Sequence, residues 1–135
     1  MYVLDTNVIS ELRRTRPNTS VLRWISETAP EQLFIAAITF GELQAGVEMT
    51  RAQDRPKAQA IEEWIDRLAS SYKIIPMDEM IFRCWARLMH RRSNDLMEDA
   101  MIAATGIVCG LTVVTRNLRD FEKFAVSTLN PFRPV

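Results

Sequence analysis

The sequence predicts a single α/β domain in three layers, with a central, mostly parallel sheet of four or five strands flanked by helices. Three observations carry this. Short runs of β-branched, aromatic and aliphatic residues (Tyr2-Val3-Leu4, Leu33-Phe34-Ile35, Ile74-Ile75, Val113-Val114) alternate with stretches whose apolar residues recur every three or four positions. The connections are short, and strands alternating with helices imply a parallel sheet covered on both faces. A length of 135 residues, 47% hydrophobic and 25% charged, suits one core spanning 1–135 that needs no disulfide or structural metal.

Met1 to Asp5 is an apolar run ending in an acid, as for a buried first strand. Thr6 to Leu12 turns helical, with Val8, Ile9 and Leu12 on one side. Arg13 to Pro17 breaks that helix, and Asn18 to Thr28 resumes it until Pro30. Gln32 to Ala37 reads as the second strand, leading into a helix from Thr39 to Thr50. Pro56 opens the longest helical pattern, Lys57 to Tyr72, with Ile61, Trp64, Ile65 and Leu68 as its stripe. Lys73 to Pro76 is a third strand and Asp78 to Arg92 an amphipathic helix. Met97 to Cys109 is helical, apolar and rich in small residues, and Gly110 is placed to end it. Leu111 to Thr115 is the fourth strand, with Val126 to Leu129 as a fifth at the edge.

Composition narrows the function classes. Seventeen basic residues balance seventeen acidic ones, so bulk charge does not mark a dedicated polyanion binder. Only Lys57, Lys73 and Lys123 are lysines, which leaves arginine, the side chain suited to forked phosphate contacts, for local clusters. A lone His90 excludes a multi-histidine zinc site. Cys84 and Cys109, far apart in apolar surroundings, read as reduced core thiols. No run is long enough to span a bilayer, and the N-terminus lacks the pattern of a signal peptide. Cytoplasm is the expected compartment and no membrane partner is expected.

Four acids fall where strands feed into helices, the edge at which open α/β sheets bind ligands. Asp5 ends strand one, and Glu42 lies in the first turn of the helix after strand two. Asp99 lies near the start of the helix before strand four, and Asp120 follows that strand. Each has an ordinary explanation alone. Asp5 caps a helix, Thr39-Phe40-Gly41-Glu42 matches a capping box, Asp99 complements a helix dipole, and Asp120 is solvated or caps a terminal helix. Together they point to a site. Carboxylates gathered at one edge repel each other unless a cation sits between them, and magnesium prefers carboxylate and water oxygens. Such an ion would supply an activated water and steady a leaving oxygen on phosphorus.

Asp5-Thr6-Asn7, Ile38-Thr39-Phe40-Gly41-Glu42-Leu43 with Gly46, Asp99 to Thr105, Thr115-Arg116-Asn117-Leu118-Arg119-Asp120-Phe121 and the closing Asn130-Pro131-Phe132 together resemble a PIN domain, specifically the VapC-type toxin ribonucleases of type II toxin–antitoxin pairs. The resemblance spans nearly the whole chain in the family's order. It implies an endoribonuclease dependent on Mg²⁺, with Mn²⁺ able to substitute, in which Asp5, Glu42 and Asp99 hold the metal. Some relatives carry the fourth acid where this chain has Asn117, others immediately before the phenylalanine. Asp120 is taken as that fourth catalytic and metal-holding acid, with Asn7, Thr115 and Asn117 supporting. The segment from Ser93 to Glu98 is shorter than usual in the family, lacks its glycine, and offers Glu98 as an extra acid at the rim. The resemblance also implies an RNA substrate, a cognate antitoxin, a homodimer, and contact with DNA only indirectly through the antitoxin.

Asp5-Thr6-Asn7 is also similar to the opening of haloacid-dehalogenase-type phosphatases, but those need an aspartate where Asn7 stands. Arg116 and Arg119, beside Asp120, are candidates for gripping RNA phosphates. Two other basic clusters, Arg13/Arg14/Arg16 and Arg83/Arg87/His90/Arg91 at helical spacing, read as solvated faces. Trp24, Trp64 and Trp85 read as core, although amphipathic helices in this number can leave a groove for a partner helix. An alternative reading is a non-catalytic, dimerising subunit of a toxin–antitoxin complex that assists operator DNA binding. A scaffold of that kind has no use for the acids.

Overall fold

The computed structural model describes residues 1–133. Five strands alternate with helices: β1 (Tyr2–Leu4), α1 (Thr6–Leu12), α2 (Thr19–Glu27), β2 (Leu33–Ala36), α3 (Ala37–Arg51), α4 (Arg55–Ser71), β3 (Lys73–Ile75), α5 (Glu79–Met89), α6 (Met97–Cys109), β4 (Thr112–Val114), α7 (Leu118–Glu122) and β5 (Thr128–Leu129). Short 3₁₀ turns precede β2 and α6. The sheet runs β3-β2-β1-β4-β5 and every pairing is parallel. This is the expected single three-layer α/β domain.

Strand alternation sorts the core. Val3, Ala36 and Val113 face one side, where they pack with Ala100, Ala103, Phe121 and Phe124 of the α6–α7 region. Leu4, Leu33, Ile35 and Val114 face the other, against Val8, Ile9, Val21 and Leu68 of α1, α2 and α4. Burial on both sheet faces is why these strands read as continuous apolar runs. Small residues let α6 lie close to the sheet. A Cβ at Gly106 would meet the Leu111 carbonyl oxygen and Val113 at 3.1 Å. Gly110, at φ 67°, ends that helix in the left-handed conformation.

Several boundaries differ from expectation. α3 starts at Ala37, two residues before Thr39, because β2 runs straight into it with no side-chain cap. α5 stops at Met89, and Arg91 takes a positive φ of 62°, so His90 and Arg91 do not share a helical face with Arg83 and Arg87. Cys84 is buried as expected, but Cys109 is exposed, because the last turn of α6 (Ile107, Val108, Cys109) reaches solvent. The tryptophans are half-buried flanks of the core, not its centre.

The strand order locates the site. From β1 the chain moves outward through β2 to β3, then returns to place β4 on the other side of β1. That reversal opens a crevice at the carboxyl ends of β1 and β4, the usual ligand position in such sheets.

Candidate active site

Asp5 stands at that crevice. Its amide N–H donates to the Val114 carbonyl (2.9 Å), which extends the β1–β4 pairing by one residue. Its side chain has two tasks. Oδ1 accepts from the Thr6 amide (2.8 Å) at the start of α1, and Oδ2 accepts from the Thr115 hydroxyl (2.7 Å) at the end of β4. The capping explanation for Asp5 is therefore correct and insufficient, since one oxygen caps and the other is fixed from the neighbouring strand. Asp5 is 5% exposed, and burial raises its pKa against the pull of those two hydrogen bonds.

Glu42 departs from expectation. It lies in the second turn of α3 rather than the first, so it does not close a capping box. Its Oε1 accepts from the Thr6 hydroxyl (2.8 Å), and that hydroxyl lies 3.2 Å from the hydroxyl of fully buried Thr39. Since Thr6 has one hydroxyl proton and gives it to Glu42, Thr39 is the donor in the second bond. The hydroxyl chain Thr39–Thr6–Glu42 ties α1 to α3 and holds the carboxylate toward the crevice. Burial raises the Glu42 pKa, the Thr6 bond opposes this, and Asp5 and Glu98 add to the rise.

Asp99 occupies the first turn of α6, with no side-chain cap preceding it. Its pKa is pushed up to about 6, first by burial and then by the charges of Asp5, Asp120, Glu42 and Glu98. Glu98, exposed beside Asp99, adds its charge to both Asp99 and Glu42 but does not line the cleft. Asp120 and Asn117 act as a pair: the Asn117 amide donates to Asp120 Oδ2 (2.6 Å), and Lys123 lies 3.7 Å from its other oxygen. Asn117 lines the cleft; Asp120 does not, but it is bonded to Asn117 and its charge acts on Asp99. The Asn117 amide N–H also bonds the Thr115 hydroxyl oxygen (2.9 Å), linking this pair to Asp5 through one threonine.

These groups line an open cleft of about 610 Å³, which includes Asp5, Asn7, Glu42, Asp99, Arg116 and Asn117. Asn7 accepts a hydrogen bond from the Arg116 amide (3.3 Å). Arg119 is not among the lining residues. Arg13 and Arg14 are exposed, as the sequence reading has them, and from the turn after α1 they also line the cleft. Buried Glu11 anchors that turn by accepting from the Asn18 amide (2.9 Å) and pairing with Arg14 (3.5 Å). Sequence reasoning missed Thr6, Thr39 and Glu11. Thr6 was legible only as part of Asp5-Thr6-Asn7, and its partner lies 36 residues away.

The donor set suits a hard divalent cation: carboxylates and an amide oxygen, with no histidine or thiol. The carboxylate pKa values are raised chiefly by burial, with mutual repulsion added at Glu42 and Asp99, and a bound cation would offset both. Among the described residues, no three histidine, cysteine or acidic side chains sit at spacings that close a cage around an ion. Magnesium does not require one, since it usually binds through one or two protein carboxylates and keeps several waters. Among the described residues no helix is long and apolar enough to cross a membrane.

Known proteins share this architecture over the full chain. VapC ribonuclease Y4jK of Sinorhizobium fredii is 34% identical over 145 residues, covering 99% of both chains. Toxin FitB of Neisseria gonorrhoeae is 33% identical over 138 residues, covering 98% of this chain and 99% of its own. The crystal structure of FitAcB from Neisseria gonorrhoeae matches with a TM-score of 0.87 at 30% identity, over 99% of this chain and 100% of that one. The PIN domain profile matches residues 2–127. With the profile spanning almost all of the chain and full-length relatives above 30% identity, the chain belongs to the PIN domain family.

Proposed function

We propose that this chain is a metal-dependent endoribonuclease and the toxin of a type II toxin–antitoxin pair. The observation that carries this is the meeting of Asp5, Glu42 and Asp99, from three separate elements, with every one of their pKa values raised. The names of the relatives, a VapC ribonuclease and a FitB toxin, support the same reading.

In this proposal Mg²⁺ or Mn²⁺ would sit among Asp5, Glu42 and Asp99, bound directly by one or two of these carboxylates and through its waters by the rest, with Asp120 contributing through Asn117 and through its charge on Asp99. Bound there, the ion supplies Lewis-acid polarisation of the phosphodiester and an activated water. The chain's own residues do the orienting. Thr115 fixes Asp5 Oδ2, Thr6 fixes Glu42 Oε1, and the first turn of α6 delivers Asp99. RNA is the substrate, with Arg116 rather than Arg119 at the cleft. The cognate antitoxin takes the apolar groove of about 490 Å³ between α1, α2 and α4, lined by Leu12, Ile25, Leu33, Trp64, Leu68 and Tyr72. A homodimer and a cytoplasmic location complete the reading, with any DNA contact made through the antitoxin. A purely architectural subunit would gain nothing from one buried and two half-buried carboxylates that repel one another.

The test is cleavage of structured RNAs with Mg²⁺ or Mn²⁺ by wild type, Asp5→Asn and Asp99→Asn. Cleavage by wild type alone is expected; activity that survives both substitutions, or that never appears, sinks the nuclease. Expression of the chain alone is expected to arrest growth, relieved by the neighbouring small open reading frame. Healthy growth with the chain alone would remove the toxin role.

A further inference from the structure

The closing Asn130-Pro131-Phe132 segment has no part in the acid chemistry, yet it is fastened to the site. The Leu129 carbonyl accepts from the Thr115 amide (2.9 Å), so the segment leaves the sheet beside the residue that holds Asp5. Asn130 Oδ1 then accepts from the Phe132 amide (2.9 Å), a local turn closed by the side chain. This turn sets the half-buried Phe132 ring against the core cluster of Leu4, Val8 and Val114. The guanidinium carbon of Arg116, the residue after Thr115, lies over that ring 4.6 Å from its centroid.

An unrestrained arginine at the lip of a cleft holding Asp5, Glu42 and Asp99 would be drawn into a salt bridge with them. Among the described residues Arg116 pairs with no acid, whereas Arg14, which also lines the cleft, pairs with Glu11. Stacking on an aromatic face restrains a guanidinium without consuming the N–H donors along its edge, and those donors match a phosphate in a two-pronged bond. The Arg116 amide is tied down as well, through Asn7 Oδ1.

We propose that Arg116 stacked on Phe132 forms a phosphate-binding subsite for the RNA strand at the lip of the acid cleft. In it Arg116 makes the contact, and Phe132 is the positioning residue that keeps the guanidinium off the carboxylates. The inference rests on the ribonuclease reading above. It gives the closing motif a task, and it explains why Arg116 rather than Arg119 faces the cleft.

The experiment is equilibrium binding of a fluorescent single-stranded RNA in EDTA, so that affinity is read without turnover. Phe132→Leu keeps an apolar side chain against the core and removes the aromatic face, and Phe132→Tyr keeps the face. Arg116→Ala and Phe132→Leu are each expected to weaken binding by roughly 5- to 10-fold, with the double variant no weaker than either alone. Phe132→Tyr should bind like wild type. The slope of log affinity against log salt should flatten by about 0.7 in both Arg116→Ala and Phe132→Leu, the loss of about one phosphate contact on a single strand. Additive losses, or a loss in Phe132→Leu without one in Arg116→Ala, would overturn the subsite. So would wild-type affinity in both variants when wild type cleaves RNA with Mn²⁺. A wild-type chain that neither binds nor cleaves RNA overturns the ribonuclease reading itself, and the subsite with it.

Discussion

Helix α3 carries two glutamates less than two turns apart, and their surroundings are opposite. Glu48 lies in a lattice with α4, where Arg51 donates to Glu48 (3.1 Å) and Glu62 (3.0 Å) and the Gln44 amide reaches both carboxylates at 2.7 Å. The hydrogen bonds from Arg51 and Gln44 lower the pKa of Glu48. Glu42 is half-buried and, among the described residues, receives one hydroxyl and no cation; burial first, then the charges of Asp5 and Glu98, raise its pKa against the Thr6 bond. Two acids on one helix thus separate into a solved electrostatic problem and an unsolved one. Leaving negative charge unpaired costs stability, so its persistence at one end of the helix marks a site kept for something other than folding.

That contrast can be broken most sharply by activity. Asp99→Asn should reduce metal-dependent RNA cleavage by on the order of 100-fold or more, while Glu48→Gln leaves it within about twofold. Comparable losses in both, measured under single-turnover conditions, would erase the distinction between the two clusters.

The next largest effect concerns the hydroxyl that holds Glu42. Thr6→Val should raise the Mn²⁺ concentration needed for half-maximal thermal stabilisation by roughly 10-fold, the usual scale for a group orienting a metal ligand. Thr6→Ser should restore it. Unchanged Mn²⁺ titrations in Thr6→Val would reduce the Thr39–Thr6–Glu42 chain to packing.

Stability in the absence of metal provides the finest test, because the two clusters must respond to pH with opposite sign. The folded pKa of Asp99 is about 6, above its ordinary 3.8. Its protonated form favours the folded state, and that stability is lost as pH rises through 6. Asp99→Asn should therefore melt like wild type near pH 4 and gain on the order of 5 °C by pH 7 in EDTA. Glu48 has a depressed pKa, so its contribution is present above its ordinary 4.5 and lost as pH falls. Glu48→Gln should melt slightly below wild type at pH 7 and converge with it in acid. Parallel pH profiles for the two variants would contradict the assigned shifts.

Local chemistry made much of the fold legible. Asn18, Asp54 and Asp78 each accept an amide at a helix start, and Gly110 ends α6, so these boundaries were written in single residues. The site was legible in part. Asp5 and Asp99 stand at the junctions their positions announced. Glu42 was readable from its place after the second strand and the motif around it; the competing capping box fails, since Thr-x-x-Glu has the same spelling whether it caps a helix or lies inside one. The Thr6 hydroxyl on Glu42 spans 36 residues and the Thr115 hydroxyl on Asp5 spans 110, and such pairings follow from strand order, which no local pattern carries. Arg13 and Arg14 are solvated as read, but that they also border the cleft could not be read, because a turn's neighbours are a tertiary fact.

The separation between Asp5 and Thr115 also bears on how the protein comes to exist. β1 precedes β4 in the chain and lies in the middle of the sheet, but the strand that fixes its terminal acid begins at Thr112. Chains grow from the N-terminus, and closing a loop of that length must precede any reward from the contact. A nascent chain short of residue 115 therefore has its first acid but not the hydroxyl that orients it. The geometry around Asp5 thus waits on a pairing that no earlier part of the chain can supply.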